Sequence, residues 1–172
     1  SGKTDTDFLV AIINYMVKTY KADATRVYMS GFSMGGCKSW DCFQEYPDVF
    51  AALAPMDATF EVGLNVFGQP APCEINRNTP VPVFYAGGEI TPLPELQAEK
   101  CTDRIRYVFD VNKVTKKYDV SFEAQDAWEN KIWGVNGDRT VKLRDESRDA
   151  VLTLEYFDSD EGVCRTVLAS VD

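Results

Sequence analysis

The sequence predicts an α/β domain: a mostly parallel central sheet with helices on both faces. Three observations predict it. Short apolar runs rich in β-branched and aromatic residues, at 26–30, 50–55 and 82–86, are interspersed with stretches of helical spacing. A serine between glycines, Gly31-Phe32-Ser33-Met34-Gly35, stands where strand pattern gives way to helix pattern. An apolar fraction of 45% with 12% aromatic residues is enough for an ordered core in 172 residues.

In chain order, Leu9, Ile12, Ile13, Met16, Val17 and Tyr20 form one apolar face, which predicts a helix over 4–20 capped by Asp5 or Thr6. A break at 21–24 leads into the strand 26–30. After the serine turn a helix is expected over 35–44, ended by Tyr46-Pro47-Asp48. Residues 50–55 read as a buried strand, and 57–79 as a long loop punctuated by Gly68, Pro70, Pro72 and Asn76-Arg77-Asn78. The next buried strand is 82–86. Residues 95–110 and 118–130 read as helices, within a segment at 95–150 that inserts into or covers a single domain of 1–172. The tail turns to strands at 140–143, 151–157 and 163–169, with a hairpin turn at 158–162.

The formal charge is −9, from 27 acidic and 18 basic side chains. An acidic surface without a dense Lys/Arg stripe excludes nucleic acid as a partner. No apolar run approaches the ~18 residues that cross a bilayer, so no membrane partner is expected. Of the five cysteines, Cys37 and Cys42 are badly spaced for bridging each other, whereas Cys73 can pair with Cys101 or Cys164. No CxxC and no histidine is present, so neither a metal site nor any cofactor is implied.

Residues 31–35 match the G-x-S-x-G nucleophile elbow, in which a strained turn projects a serine above the sheet. The glycines at 31 and 35 leave room for strand and helix to approach. Ser33 is then the catalytic nucleophile. The Met34 N–H is half an oxyanion hole, helped by the partial positive charge of the helix N-terminus. Ser30 and Ser39 are structural. The acid follows in chain order after a later strand; Glu89 fits best, with Asp57 and Glu95 as alternatives. Phe32 and Met34 flank the serine as candidate pocket residues, and Trp128 and Trp133 are candidates for an aromatic wall. Without histidine a triad cannot be completed within these residues.

Arg26-Val27-Tyr28, residues 31–36 and the run from Tyr46 to Pro55 resemble the α/β-hydrolase esterases that include polyhydroxybutyrate depolymerase-like proteins and feruloyl (cinnamoyl) esterases. The resemblance is close over 4–55 and looser over 110–172. It implies a serine ester hydrolase, acting on small-molecule or polysaccharide-linked feruloyl or cinnamoyl esters. Polyester depolymerase or lipase-like activity is the alternative within the family, and a non-catalytic binding relative the alternative outside catalysis. The family's strand before the acid is similar to 80–85, where Ala86-Gly87-Gly88-Glu89 follows in place of a His-Gly-x-x-Asp pattern. The resemblance also implies secretion or a periplasmic location, and an oxyanion loop and histidine outside this chain. The expectation is thus a partial domain, incomplete at both ends, whose missing N-terminal strands come from the rest of the domain and which is inactive alone.

Overall fold

The computed structural model describes residues 4–58, 60–65, 67–88, 98–115 and 137–171, without the side chains of 88 and 98–104. The elements are α1 (Asp5–Tyr20), β1 (Tyr28–Phe32), α2 (Met34–Glu45), β2 (Ala52–Met56), β3 (Val83–Gly88), α3 (Ala98–Val111), β4 (Arg139–Asp145), β5 (Ala150–Asp158) and β6 (Cys164–Val171). The described strands form one sheet in the order β1-β2-β3-β6-β5-β4. β1, β2, β3 and β6 run parallel, and β5 and β4 extend the sheet antiparallel. The carboxyl ends of all four parallel strands therefore share one edge, and Ser33 stands on it.

Local chemistry accounts for where elements begin. Thr4 caps α1, in place of Asp5 or Thr6, because Asp7 three residues on completes a capping box: the Asp7 N–H donates to Thr4 Oγ1 (3.1 Å) and the Thr4 N–H to Asp7 Oδ2 (2.8 Å). β1 starts two residues later than the apolar run suggests. Asp23 closes the preceding turn, accepting from the Thr25 N–H at 2.9 Å and Arg26 Nε at 2.8 Å, and pairing with β2 begins only at Tyr28 opposite Ala52. The hairpin turn before β6 is present, with Gly162 at φ +70° and its N–H donating to the Ser159 carbonyl.

The core lies between the sheet and the pair α2 and α3. Trp40 of α2 is wholly buried; it stacks on Phe60 with ring centroids 4.5 Å apart and meets Tyr85 of β3 edge-on at 5.2 Å. From α3, Tyr107 packs on Phe43 and Phe109 on Phe157. Each such aromatic contact adds about 0.5–1.5 kcal/mol to the burial of its rings. α3 and β4 are thus built into the layers of the domain, while 116–136, including the helix expected at 118–130, lies outside the described residues. Where the sequence predicts helices on both faces, the described residues place α2 and α3 on one. The opposite face leaves Tyr28, Phe32, Met56 and Phe84 exposed.

Buried amides fasten the long loop 57–79 to this core. The Gln44 side chain accepts from the Gly63 N–H (2.7 Å) and donates to the Leu64 carbonyl (3.2 Å). Asn112, at the end of α3, accepts from the Val81 N–H (2.9 Å) and donates to Thr166 Oγ1 (3.0 Å), locking β3 beside β6. Buried polar groups satisfied in this way fix register, because any slip would strand them without partners.

The apolar face of α1 is mostly open: Leu9 and Ile13 pack against the core, but Ile12, Met16 and Tyr20 are exposed, and Ile12 and Met16 border a groove of about 580 Å³ beside Val27 and Tyr28. Cys73 and Cys164 are not bridged; both are free thiols, as is Cys42. Burial among apolar and acidic neighbours pushes the Cys42 thiol up to about 12, so it behaves as an inert core side chain.

α1 and α2 are joined by the Tyr46 hydroxyl, which donates to Asp7 Oδ1. That bond, more than burial, raises the Tyr46 phenol to about 12. The folded value lies above the ordinary value of about 10, so the bond's contribution is complete below pH ~10 and disappears as pH rises towards 12. In Tyr46→Phe the stability deficit against the parent, followed by urea denaturation, is expected to be constant at neutral pH and to close between pH 10 and 12.

Candidate active site

Ser33 is the single residue between β1 and α2. Its backbone is at φ +53°, ψ −119°, a region that non-glycine residues enter at a cost of about 1–3 kcal/mol. Three contacts hold it there. The Ser33 N–H donates to the Met56 carbonyl at 3.0 Å, tying the turn to the end of β2. The Ser33 carbonyl accepts from the Cys37 N–H at 2.9 Å, starting the helical ladder of α2. β1 and β2 are in register, with Phe32 level with Met56. The serine itself is exposed and its side chain does not cap the helix.

The close approach of helix to strand depends on glycines, though on a different pair from the motif's own. A Cβ at Gly31 would lie 2.2 Å from the Gly35 carbonyl carbon, and a Cβ at Gly36 would lie 2.4 Å from the Ala58 Cβ and 2.8 Å from the Met56 carbonyl oxygen. A Cβ at Gly35 would meet nothing within 4 Å. Gly31 and Gly36 are the residues the packing requires; Gly35 supplies the backbone that Gly31 must clear.

Met34 opens α2, so its N–H is among the four that a helix leaves unbonded at its start, where the helix's partial positive charge is also concentrated. Phe32 and Met34 are 66% and 57% exposed and stand on either side of the serine in sequence, so apolar surface is available beside it. Met56, level with Phe32 on the neighbouring strand, is partly exposed as well; the sequence reading missed it, because only the parallel register brings it there. Ser30 lies in the middle of β1 rather than at its end, and Ser39 is fully buried, its Oγ donating to the Gly35 carbonyl at 3.0 Å. Neither reaches the turn as a nucleophile.

The acid candidates divide. Asp57 follows β2 directly and is described; Glu89, Glu95, Trp128 and Trp133 lie outside the described residues. Among the described residues no group of three or more His, Cys, Asp or Glu side chains could hold a metal ion, and no helix is long and apolar enough to cross a membrane. The arrangement presents a strained, exposed serine hydroxyl next to unbonded helix N–H groups, which is what attack on a carbonyl and stabilisation of the resulting oxyanion need.

Comparison with known proteins gives partial matches. The chain is 38% identical over 87 residues to the bifunctional acetylxylan esterase/xylanase of Neocallimastix patriciarum, covering 51% of this chain and 12% of that protein. It is 40% identical over 52 residues to feruloyl esterase B of Talaromyces funiculosus, covering 30% and 15% respectively. Feruloyl esterase B of Neurospora crassa matches over 46 residues at 46% identity, covering 27% and 16%. The chain thus spans well under a quarter of the length of these relatives. Among solved structures, the S-formylglutathione hydrolase FrmB of Staphylococcus aureus aligns with a TM-score of 0.42 and 19% identity, over 76% of this chain and 60% of that one. No family model matches the chain.

Proposed function

We propose that this chain, an α/β-hydrolase fold similar in sequence to esterases, carries the nucleophile of a carboxylic ester hydrolase. The observation that carries the reading is the Ser33 backbone: a serine held at φ +53° on an exposed strand-to-helix turn has a conformational cost that folding alone does not require. Ser33 Oγ attacks the ester carbonyl. The Met34 N–H donates to the developing oxyanion, the alcohol departs, and water releases the acyl group from Ser33.

The proton of Ser33 needs a base, and the 172 residues contain no histidine. The base is proposed to come from elsewhere in the full protein, so that these residues alone are inactive. β1 is an edge of the described sheet, and its outer side is proposed to pair with further strands of that protein. The proposed substrates are feruloyl or cinnamoyl esters linked to polysaccharide. The apolar surface of Phe32 and Met34, and the likeness to proteins named feruloyl esterase, support an aromatic acyl group. The missing histidine favours a second reading, a non-catalytic relative that binds without turnover.

The test is hydrolysis by the full-length protein of methyl ferulate against short aliphatic esters. A higher kcat/KM for methyl ferulate is expected, by roughly 10- to 200-fold, the range that apolar pocket contacts supply. Preference for the aliphatic esters would move the substrate to the polyester or lipase type. Turnover of neither would leave the binding reading in its place.

A further inference from the structure

We infer that Asp57, rather than Glu89, is the carboxylate that orients the catalytic base; the inference rests on the ester-hydrolase reading above. The register places Asp57 beside the serine turn, just past the carboxyl end of the adjacent strand. Phe32 is level with Met56, so Ser33 and Asp57 are the next residues on two adjacent parallel strands, which lie about 4.8 Å apart. Met56 is level with Ala86, so the corresponding position after β2 on β3 is Gly87. Glu89 comes two residues later in the chain and lies outside the described residues.

The Asp57 corner is also built as the serine turn is built. Its backbone is left-handed at φ +41°, an uncommon state for a residue other than glycine. Three contacts over-determine it. The Asp57 N–H donates to the Ala86 carbonyl at 2.8 Å. The Tyr85 hydroxyl donates to the carbonyl of Ala58. Ala58, which is buried, seats against Gly36 in the first turn of α2, three residues beyond Ser33. The chain leaving β2 is thereby folded over the start of the helix that carries the nucleophile. Ser33 and Asp57 are the two residues at the parallel strand ends that keep a positive φ without being glycine, among the described residues. Strain retained at both, and cross-linked through Met56, is economical if both side chains serve one reaction centre.

Asp57 would act as a positioning residue. A carboxylate bonded to the far nitrogen of an imidazole holds its tautomer and stabilises the imidazolium formed when the serine gives up its proton. A carboxylate there also raises the imidazole's affinity for a proton.

The experiment uses the full-length protein with Asp57→Asn, Asp57→Gly, Glu89→Gln and Ser33→Ala, assayed on methyl ferulate and a short aliphatic ester. Asp57→Asn is expected to lower kcat by about 10³–10⁴-fold with KM changed little. Its acid limb of the kcat/KM profile moves to lower pH, because the base loses its carboxylate. Asp57→Gly relieves the left-handed backbone, so it is expected to unfold no more easily than the parent yet to show the same loss and the same shift. Glu89→Gln stays within tenfold of the parent. The inference fails if both Asp57 variants keep kcat within tenfold, or lose it with the acid limb unmoved, while Ser33→Ala is inactive; the ester-hydrolase reading then survives. Turnover retained in Ser33→Ala, or none in the parent, overturns both.

Discussion

Replacing Ser33 with alanine is expected to lower ester turnover by the full-length protein by about 10⁵–10⁶-fold, the loss seen when a serine hydrolase's nucleophile is removed. The fold should survive the change. Alanine meets the same left-handed backbone as serine, so thermal unfolding is expected to stay within a few degrees of the parent. Glycine is at home at φ +53°, and Ser33→Gly is therefore expected to be more stable by about 1 kcal/mol or more while equally inactive. Opposite signs for stability and activity at one position distinguish a strained functional serine from a structural turn, in which relief of strain would cost nothing. Urea denaturation and steady-state kinetics on the same preparations measure both quantities.

The second large effect is steric. Gly31→Ala places a methyl group 2.2 Å from the Gly35 carbonyl carbon and 2.3 Å from its oxygen, and backbone cannot rotate aside as a side chain would. α2 must lift from the sheet, opening the contacts of Trp40 and Phe43 beneath it. A destabilisation of about 3 kcal/mol or more is expected, at the upper end of overpacking costs, read as a lower urea midpoint at unchanged slope. Gly36→Ala is expected to behave similarly, because Ala58 and the Met56 carbonyl stand in the way. Gly35→Ala is the control: the site is open and helical, so alanine should be neutral or stabilising by about 0.5–1 kcal/mol. A large loss at Gly35 with none at Gly31 would contradict the packing described for this turn.

The elements were legible in the sequence wherever the signal is local. The serine turn, the helix after it, the three buried strands and the hairpin before β6 all follow from periodicity and turn residues. What depends on distant partners was not. Nothing near 164–171 says that β6 pairs with β3, since that register is set by Val83 meeting Thr166 and by Asn112 between them. The spacing of Leu9 to Tyr20 gives a helix but not its burial, because burial depends on what packs against the face, and among the described residues Ile12, Met16 and Tyr20 stay exposed. Of the site, Ser33 and Met34 were legible from the motif. Gly36 was hidden, although Gly35-Gly36 stands in the sequence, because its role requires Ala58 beside it. The weight on Asp57 was also hidden: chain order pointed to Glu89, and only the strand register and the positive φ at 57 bring Asp57 forward.

Ser33 is proposed to accept the acyl group. Treatment of the full-length protein with a fluorophosphonate, followed by proteolysis and mass spectrometry, reads this directly. A single phosphonylated peptide containing Ser33 is expected, absent from Ser33→Ala and formed more slowly in Asp57→Asn. A protein that turns over ester substrates while its adduct maps to a different serine, or while Ser33 stays unmodified, would contradict it.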